Sequence, residues 1–394
     1  MLIRPSYLAL LIASLLFWQQ AGLHRSEKRP VTNAPALVTG AARLTQYLPD
    51  LRGRNVGVLI NNNALLNGQL SIDTLIQSGV KVVKRFGAER ELRGKDGNNL
   101  LTPYPALPLV YLYGDQHKPD RQDLSGIDVM LVDVQDLGVR FYIYLATLHY
   151  VMEACAENDI EVIVLDRPNP IGSMVDGPVL DPSLASFLGT DPLPLAHGLT
   201  FGEYAKMING EGWLKNGIKC KLKVVNMLNY THSSSYTLSN PPFPNLNSDQ
   251  AIQLYPSLCW FDGTVMSSGR GTDFPFTVLG HPLLKSHYTF SFTPRTGSKT
   301  STPPPYQNIP CYGLDLSAEP VPQQQISLNW LVDSYRVFPE KAVFFNPEKF
   351  DRLAGTRRLR EQLMQGLPAA GIRESWKPDL SHYKKIRHQY LMYE

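Results

Sequence analysis

Polar and ionisable side chains follow four apolar runs of the sequence, and their types suit chemistry on a sugar. They are Asn61 after 56–60, Glu89 and Glu91 after 80–86, Asp133, Gln135, Asp136, Arg140 and Tyr142 at and after the end of 129–134, and Asp166, Arg167 and Asn169 after 162–165. Glycoside cleavage needs one carboxylic acid to protonate the leaving oxygen and a second group to supply water or form a covalent intermediate. Amides and arginines can bind sugar hydroxyls, and aromatic rings can pack against sugar faces. If the runs are strands of one sheet, the set predicts a carboxylate-rich glycan site.

Glu89 is the natural general acid of this set. It comes shortly after an apolar strand, and partial burial would raise the pKa of its carboxyl towards neutrality. The alternative for Glu89 is an ion pair with Arg90 or Arg93. His197 stands just ahead of a capped helix, where it either lines the site or is a hydrogen-bonded structural group.

Several other chemistries lack their sequence signals. No G-x-G-x-x-G follows the first strand, and neither G-x-x-x-x-G-K-[ST] nor G-x-S-x-G occurs, so phosphate cradles and nucleophile elbows are not supported. The histidines and the four cysteines are not spaced as metal ligands. We therefore expect neither a metal nor an organic cofactor. Cys155 shares a helical stripe with Leu148 and Met152, which predicts a buried thiol rather than a disulfide.

The elements that must position these residues alternate between short apolar strands and helices. Strands are predicted at 56–60, 80–86, 109–113, 129–134 and 162–165, because these runs are apolar and rich in β-branched residues. Between them we predict a helix capped by Ser71, a helix with Leu145 to Cys155 on one face, and a helix opened by the Thr200–Glu203 capping box. This alternation predicts an α/β fold with a doubly wound, mostly parallel sheet, whose ligands bind at the carboxyl ends of the strands.

The pattern changes after about residue 226. Proline-rich segments at 240–244 and 302–305 break regular structure, Ser327 is predicted to cap a helix, and Asn346-Pro347 to begin another. We predict a signal peptide at 1–22, a catalytic domain at 37–258 and a smaller α+β auxiliary domain at 259–394.

The composition and the N-terminal residues limit the class of protein and its location in the cell. The chain has 394 residues, 43% hydrophobic and 19% charged, with 38 basic against 35 acidic side chains. This is a globular composition, and it gives no reason to expect a nucleic-acid partner. Arg4 followed by the apolar run 8–18 resembles a secretory signal that is too short to span a bilayer. We expect export to the periplasm or the extracellular space without a stable membrane span; an uncleaved anchor or a buried helix is the alternative. The oligomeric state stays open.

Several long segments carry a resemblance to a known family. They include FGAERELRG (86–94), GIDVMLVDVQDLGVRFYIYLATL (126–148), VLDRPNPIGSMVDGPVLDP (164–182) and FDGTVMSSGRGTDFPFTVLGHP (261–282). In these segments, and in order over nearly the whole mature chain, the protein resembles the exo-β-N-acetylmuramidases of peptidoglycan recycling, the NamZ family, formerly a domain of unknown function.

The resemblance implies a Rossmann-like catalytic domain, a smaller auxiliary domain and an active cleft between them. It implies a glycosidase that releases terminal N-acetylmuramic acid from peptidoglycan or muropeptide fragments, with Glu89 as acid/base. The roles of the other residues are our own expectation and do not come from the resemblance. We expect Asp133 and Asp136 to polarise water or the developing cation. We expect the sugar ring and its lactyl carboxylate to be held by Asn61, Arg140, Arg167, Asn169 and His197, with Arg140, Arg167 or Arg270 bound to the carboxylate.

The chain departs from the family pattern beside the expected acid. The family has Pro-Glu-His-Gly where this chain has Ala88-Glu89-Arg90-Glu91. A permanent cation next to Glu89 should lower the pKa of its carboxyl and weaken it as an acid, while Glu91 could partly offset Arg90. Asp262, Val265 and Ser268 also replace usual family residues. The chain is therefore either an active glycosidase with altered preference or a diverged paralogue that binds glycan without cutting. Another hydrolase chemistry on a different sugar or amide is the third possibility.

Overall fold

The computed structural model describes residues 35–88, 107–243, 245–296, 303–321 and 324–394. The expected acid Glu89, its neighbours Arg90 and Glu91, and the expected signal peptide at 1–22 lie outside the described residues.

Thirteen strands and nine α-helices are named here in chain order. The strands are β1 Asn55–Ile60, β2 Leu65–Leu66, β3 Gln69–Leu70, β4 Lys81–Gly87, β5 Leu109–Tyr111, β6 Val129–Asp133, β7 Glu161–Leu165, β8 Asp176–Val179, β9 Pro194–Ala196, β10 Leu222–Val225, β11 Val278–His281, β12 Ser291–Phe292 and β13 Cys311–Asp315. The helices are α1 Leu48–Leu51, α2 Ser71–Gln77, α3 Ile143–Glu157, α4 Phe201–Glu211, α5 Asp249–Leu258, α6 Asn329–Val337, α7 Pro347–Ala354, α8 Arg358–Met364 and α9 Ala369–His388.

Six parallel strands form the central sheet in the order β10-β7-β6-β1-β4-β5. Counted along the chain, β1 is the first strand of this sheet and β6 the fourth, so the order is that of a Rossmann-type doubly wound sheet. The strand order reverses between β1 and β6, which pair in parallel from Val56 with Val129 to Ile60 with Asp133. Ligands of such sheets bind outside the carboxyl ends of the strands at this switch point. The predicted fold class is confirmed.

Apolar side chains on both faces of the sheet explain why these strands form. Val58 and Ile60 pack in a core on one face, whereas Leu59 and Val132 belong to a larger core on the other. Period-two alternation between two buried faces produces the unbroken apolar runs of the sequence. The larger core continues into the C-terminal half, where Phe350 joins the same cluster. The predicted boundary between 258 and 259 stays a prediction.

Two of the predicted helix caps are correct and two are wrong. The Thr200 side chain accepts a hydrogen bond from Glu203 N and the Glu203 side chain accepts one from Thr200 N, a complete capping box on α4. Asn346 caps α7 through Lys349 N. By contrast, Ser71 is the first residue of α2, because its amide donates to Ala64 O and the extended residue before the helix is Leu70. Ser327 does not cap α6 either, since the cap position is Leu328.

The C-terminal half contains the antiparallel sheet β11-β13-β12 and four helices, of which α9 is the longest at 20 residues. The edge strand β10 was not among the predicted strands. All four cysteines are free and buried, as predicted for Cys155. Among the described residues, no helix has the combination of length and apolar character needed to cross a bilayer.

Candidate active site

The switch point is closed by a reciprocal pair of hydrogen bonds between the ends of β1 and β6. Asn61 Nδ2 donates to Gln135 O at 2.9 Å, and Gln135 N donates to Asn61 Oδ1 at 3.3 Å. Both residues are 1% exposed. The Asn61 side chain thus holds the loop after β6 against the end of β1, which fixes where the following residues lie.

Asp133 and Arg167 form a buried ion pair between the ends of β6 and β7. Arg167 Nε donates to Asp133 Oδ1 at 2.5 Å and Nη2 to Oδ2 at 2.9 Å, while Nη2 also donates to Leu65 O at 2.9 Å. Burial opposes the charge on Arg167, but Asp133 and the hydroxyl of Tyr236 raise its pKa. Because both oxygens of Asp133 accept from one guanidinium, this carboxylate is held rigidly and its negative charge is neutralised.

Asp136 has a different environment from Asp133. Its Oδ2 accepts from Gly138 N at 2.8 Å and lies 3.4 Å from His197 Nε2, whereas its Oδ1 is buried with no hydrogen-bond partner among the described residues. His197 Nδ1 accepts from Leu199 N at 3.1 Å, so the ring proton belongs on Nε2, which makes no hydrogen bond within the same part of the chain. Gln135 Oε1 is a third buried atom without a partner in the described ranges. Unsatisfied buried polar atoms are rare, and three of them beside one switch point are what a polar ligand would satisfy.

Asp166, at the carboxyl end of β7, is saturated by protein donors. It accepts hydrogen bonds from Arg167 N at 3.1 Å, Gly202 N at 2.7 Å, Thr200 Oγ1 at 2.7 Å and Tyr393 Oη at 2.6 Å. Burial raises the pKa of this carboxyl to about 6 even though these hydrogen bonds act in the opposite direction. In this arrangement Asp166 joins the start of α4 to the C-terminal residues of the chain and has no free lone pair directed at a ligand.

Two other predicted binding residues also make contacts within the protein. The Asn169 side chain donates to Leu199 O at 2.8 Å and accepts from Ile171 N at 2.9 Å, so it organises the loop after β7. The Arg140 guanidinium is buried and packs against the end of α7, where Nη2 donates to Leu353 O at 3.0 Å. Burial lowers the pKa of Arg140 to about 10, and its Nε and Nη1 have no hydrogen-bond partner among the described residues. Direct binding of sugar by these residues stays a prediction.

The segment 236–243 covers the same edge of the sheet and was not predicted as part of the site. Asn63 and Asn240 exchange hydrogen bonds of 2.9 Å in both directions between side chain and backbone, and Asn62 Nδ2 donates to Pro241 O at 2.7 Å. The Tyr142 hydroxyl donates to Pro242 O at 3.4 Å. The run Asn61-Asn62-Asn63 is the feature of the sequence that could have predicted this contact. Consecutive side-chain amides at a buried strand end need hydrogen-bond partners, and here a distant backbone segment supplies them.

Arg270 lies beside the end of the segment 236–243, next to Phe243. It is paired with Asp262, through Nε at 3.2 Å and through a close Nη2 contact. Its guanidinium carbon lies 4.9 Å from the centre of the Phe276 ring and 5.9 Å from that of the exposed ring of Phe243. Since Asp262 already neutralises Arg270, the pair presents hydrogen-bonding groups beside aromatic surface rather than a free cation.

The structure therefore brings Asn61, Asp133, Gln135, Asp136, Arg167 and His197 to one edge of the sheet, with Asp166 and Asn169 behind them. These features define the chain as a Rossmann-like α/β protein with a polar, carboxylate-containing candidate site at its switch point. Among the described residues, no group of histidines, cysteines and carboxylates has the arrangement of a metal site.

Comparisons with known proteins extend this description. The family models for the N-terminal and C-terminal parts of the exo-β-N-acetylmuramidase NamZ match residues 56–250 and 253–393. The chain is 32% identical over 392 residues to the peptidoglycan β-N-acetylmuramidase NamZ of Bacillus subtilis (strain 168), covering 93% of this chain and 94% of that protein. The chain therefore belongs to the NamZ family, and this relationship supports a glycosidase role of the muramidase type at the level of the family.

Two crystal structures of DUF1343 family proteins from Bacteroides fragilis NCTC 9343 share the fold. One is 37% identical with a TM-score of 0.85, and the other is 28% identical with a TM-score of 0.77. Each comparison covers 91% of this chain and 99% of the other. The architecture is thus shared across both halves of the chain.

Proposed function

We propose that the chain is an exo-acting glycoside hydrolase that releases terminal N-acetylmuramic acid from peptidoglycan fragments, with Glu89 as acid/base. The observation that carries this proposal is the family match across both halves of the chain, together with the glutamate kept at position 89. In the reaction the glycosidic C1–O bond breaks, the leaving oxygen takes a proton from Glu89, and water supplies a hydroxyl to C1 while its remaining proton passes to a carboxylate of the site. Membership of the family and the polar switch point support the same class of substrate.

The environments of the two aspartates support different roles. Asp133 is bound by Arg167 through both oxygens and is fully buried, so we assign it to positioning Arg167 and the end of β6. Asp136 has one oxygen without a hydrogen-bond partner among the residues that the structure describes, and the Nε2 of His197 lies beside the other. A carboxylate with a free lone pair can accept a proton from water or stabilise positive charge developing at C1. We therefore assign that role to Asp136.

A chromogenic β-N-acetylmuramide and a disaccharide ending in N-acetylmuramic acid test the proposal. The full-length protein should hydrolyse both, and Glu89→Gln and Asp136→Asn should each reduce kcat by about 100-fold or more. Asp159→Asn is the matched control, since the Asp159 side chain is 82% exposed just after the end of α3 and forms an ion pair with Lys221. Undiminished hydrolysis by Glu89→Gln would exclude Glu89 as the acid.

The altered residues beside Glu89 give a second test. If Arg90 depresses the pKa of the Glu89 carboxyl, Arg90→His should shift the alkaline limb of the pH–rate profile upwards. If neither the natural chain nor Arg90→His releases sugar but both bind the disaccharide, the chain is a glycan-binding paralogue rather than an enzyme.

We also propose that the chain is exported to the periplasm or extracellular space. The charged start and short apolar run at 1–18 support export. Cell fractionation of the full-length protein tests it, and retention in the cytoplasm would contradict it.

A further inference from the structure

A cavity lies between the two halves of the chain, and none of the predicted active-site residues lines it. It measures about 670 Å³, within the range of roughly 300–1,000 Å³ typical of small-molecule sites. Its walls come from the end of β8, the residues around the end of α4, the start of α8 and one face of α9. The Tyr383 ring lines it, and the Tyr383 hydroxyl donates to His197 O at 2.7 Å. The cavity is thus separated from His197 by the thickness of one side chain.

The cavity follows the axis of α9. Asp379, His382, Tyr383 and Ile386 line it at the spacing of one helix face, a length of about 10 Å. Two contacts mark its ends: Arg358 Nη1 donates to Ser375 O at 3.3 Å, and Tyr390 Oη donates to Glu211 Oε1 at 2.6 Å. The arginine end and the Glu211 end therefore lie at opposite ends of the same groove.

Several side chains that line the cavity are of the types that bind sugars in proteins, namely an aromatic ring and polar or charged groups. Trp213 packs against the core and keeps part of its ring exposed at the Glu211 end. The side chains of Arg357, Asp379 and His382 are exposed and make no hydrogen bond within the described residues. A fixed indole offers an apolar face to the C–H groups of a pyranose ring, and planar charged side chains can hydrogen-bond to its hydroxyls.

The charge of the cavity restricts the kind of sugar. Its two arginines, Arg357 and Arg358, face three carboxylates, Asp181, Glu211 and Asp379. Hydrogen bonds from Ser183, together with the charge of Arg357, lower the pKa of the Asp181 carboxyl. Because the carboxylates outnumber the arginines, the cavity offers no excess of cations for a ligand with a free carboxylate.

We propose that this cavity is a second saccharide-binding site, specific for uncharged N-acetylhexosamine units. The choice of amino sugar rests on the proposed function, because glycan chains that end in N-acetylmuramic acid also carry neutral N-acetylhexosamines. The site would hold a distant part of the glycan while the terminal sugar occupies the switch point.

Calorimetric titration of the full-length protein with N,N′-diacetylchitobiose tests the proposal. This disaccharide has no muramic acid, so its binding is measured independently of any hydrolysis. We expect saturable binding that Trp213→Ala weakens by about fivefold or more and Asp379→Ala by about three- to tenfold. Trp330→Ala is the matched control, because Trp330 is a partly exposed tryptophan on α6 outside the cavity. It should leave the affinity unchanged.

Three results would overturn the site. They are no binding of chitobiose, equal loss in Trp213→Ala and Trp330→Ala, or binding of N-acetylmuramic acid or an alanyl-glutamate dipeptide in preference to chitobiose. Asp379→Ala keeps the test informative if Trp213→Ala does not fold, since Asp379 is exposed on α9. Loss of hydrolysis with chitobiose binding intact would instead refute only the proposed catalytic function.

Discussion

Replacing Gly355 by alanine should test whether the buried Arg140 guanidinium packs against the end of α7. Gly355 has φ of +75°, and a β-carbon built there would lie 1.8 Å from Arg140 Nη1. Left-handed backbone costs an alanine about 1 kcal/mol, and overpacking a core costs about 1–3 kcal/mol more. We therefore expect Gly355→Ala to lower the free energy of unfolding by about 2–4 kcal/mol.

Gly366→Ala separates these two costs. Gly366 follows α8 with φ of +76°, and a β-carbon there would have no neighbour within 4 Å. It should lose only the backbone contribution of about 1 kcal/mol, as measured by urea unfolding of both variants. Equal destabilisation of the two would refute the packing of Arg140 against Gly355.

Arg140→Met gives the reciprocal test. Burial lowers the pKa of Arg140 from 12.5 to about 10, which corresponds to roughly 3 kcal/mol of cost for keeping the cation charged. Within the described residues, Nε and Nη1 make no hydrogen bond that would offset this cost. Methionine removes the charge at similar length, so Arg140→Met should rescue Gly355→Ala and leave Gly366→Ala unchanged. Failure of this rescue would show that the clash involves another group.

Three further predictions concern the buried polar network. Because the pKa of Asp166 is raised, the folded state binds the proton of this carboxyl more tightly than the unfolded state does. The contribution of Asp166 to stability is therefore full below pH 4 and falls by roughly 3 kcal/mol as the pH rises through about 6. Asp166→Asn should remove this fall, which unfolding curves at pH 4.5 and 7.5 would measure. Thr200→Ala removes the cap of α4 and a donor to Asp166, and should cost about 1–2 kcal/mol in the same assay, whereas a neutral result would show that Thr200 is dispensable. Arg167→Gln leaves Asp133 buried without its cation and should lower the free energy of unfolding by about 3–5 kcal/mol. Adding Asp133→Asn should recover part of this stability, and no recovery would contradict direct coupling of the pair.

The central sheet could be predicted from the sequence because its strands are encoded locally. The predicted runs at 56–60, 109–113 and 162–165 consist of apolar residues, and a capping box marks α4 directly in the sequence. The strand β10 was missed because Leu222–Val225 is short and includes Lys223, whose ammonium group bonds to Gln46 O outside the core. Ser71 was misassigned because a serine before an apolar stripe fits both the cap position and the first turn, and only the hairpin β2–β3 decides between them.

The candidate site could be predicted only in part, for a related reason. Strand ends predict which residues reach the edge of the sheet, but they do not predict the partner that each side chain meets. Asp166 accepts a hydrogen bond from Tyr393, 227 residues further along the chain, and no local pattern signals that contact.

The hydrogen-bond partners of two aspartates distinguish their roles, which the residue type alone does not. Asp133 and Asp136 are both aspartates at or just after the end of β6, yet Arg167 donates to both oxygens of the first, while an oxygen of the second is buried without a partner in the part of the chain that the structure describes. A buried atom of that kind carries a cost that a structural role does not explain, and a bound hydroxyl or water would remove it. For that reason the loss of hydrolysis in Asp136→Asn should appear in kcat with little change in stability, whereas Asp133→Asn should reduce both.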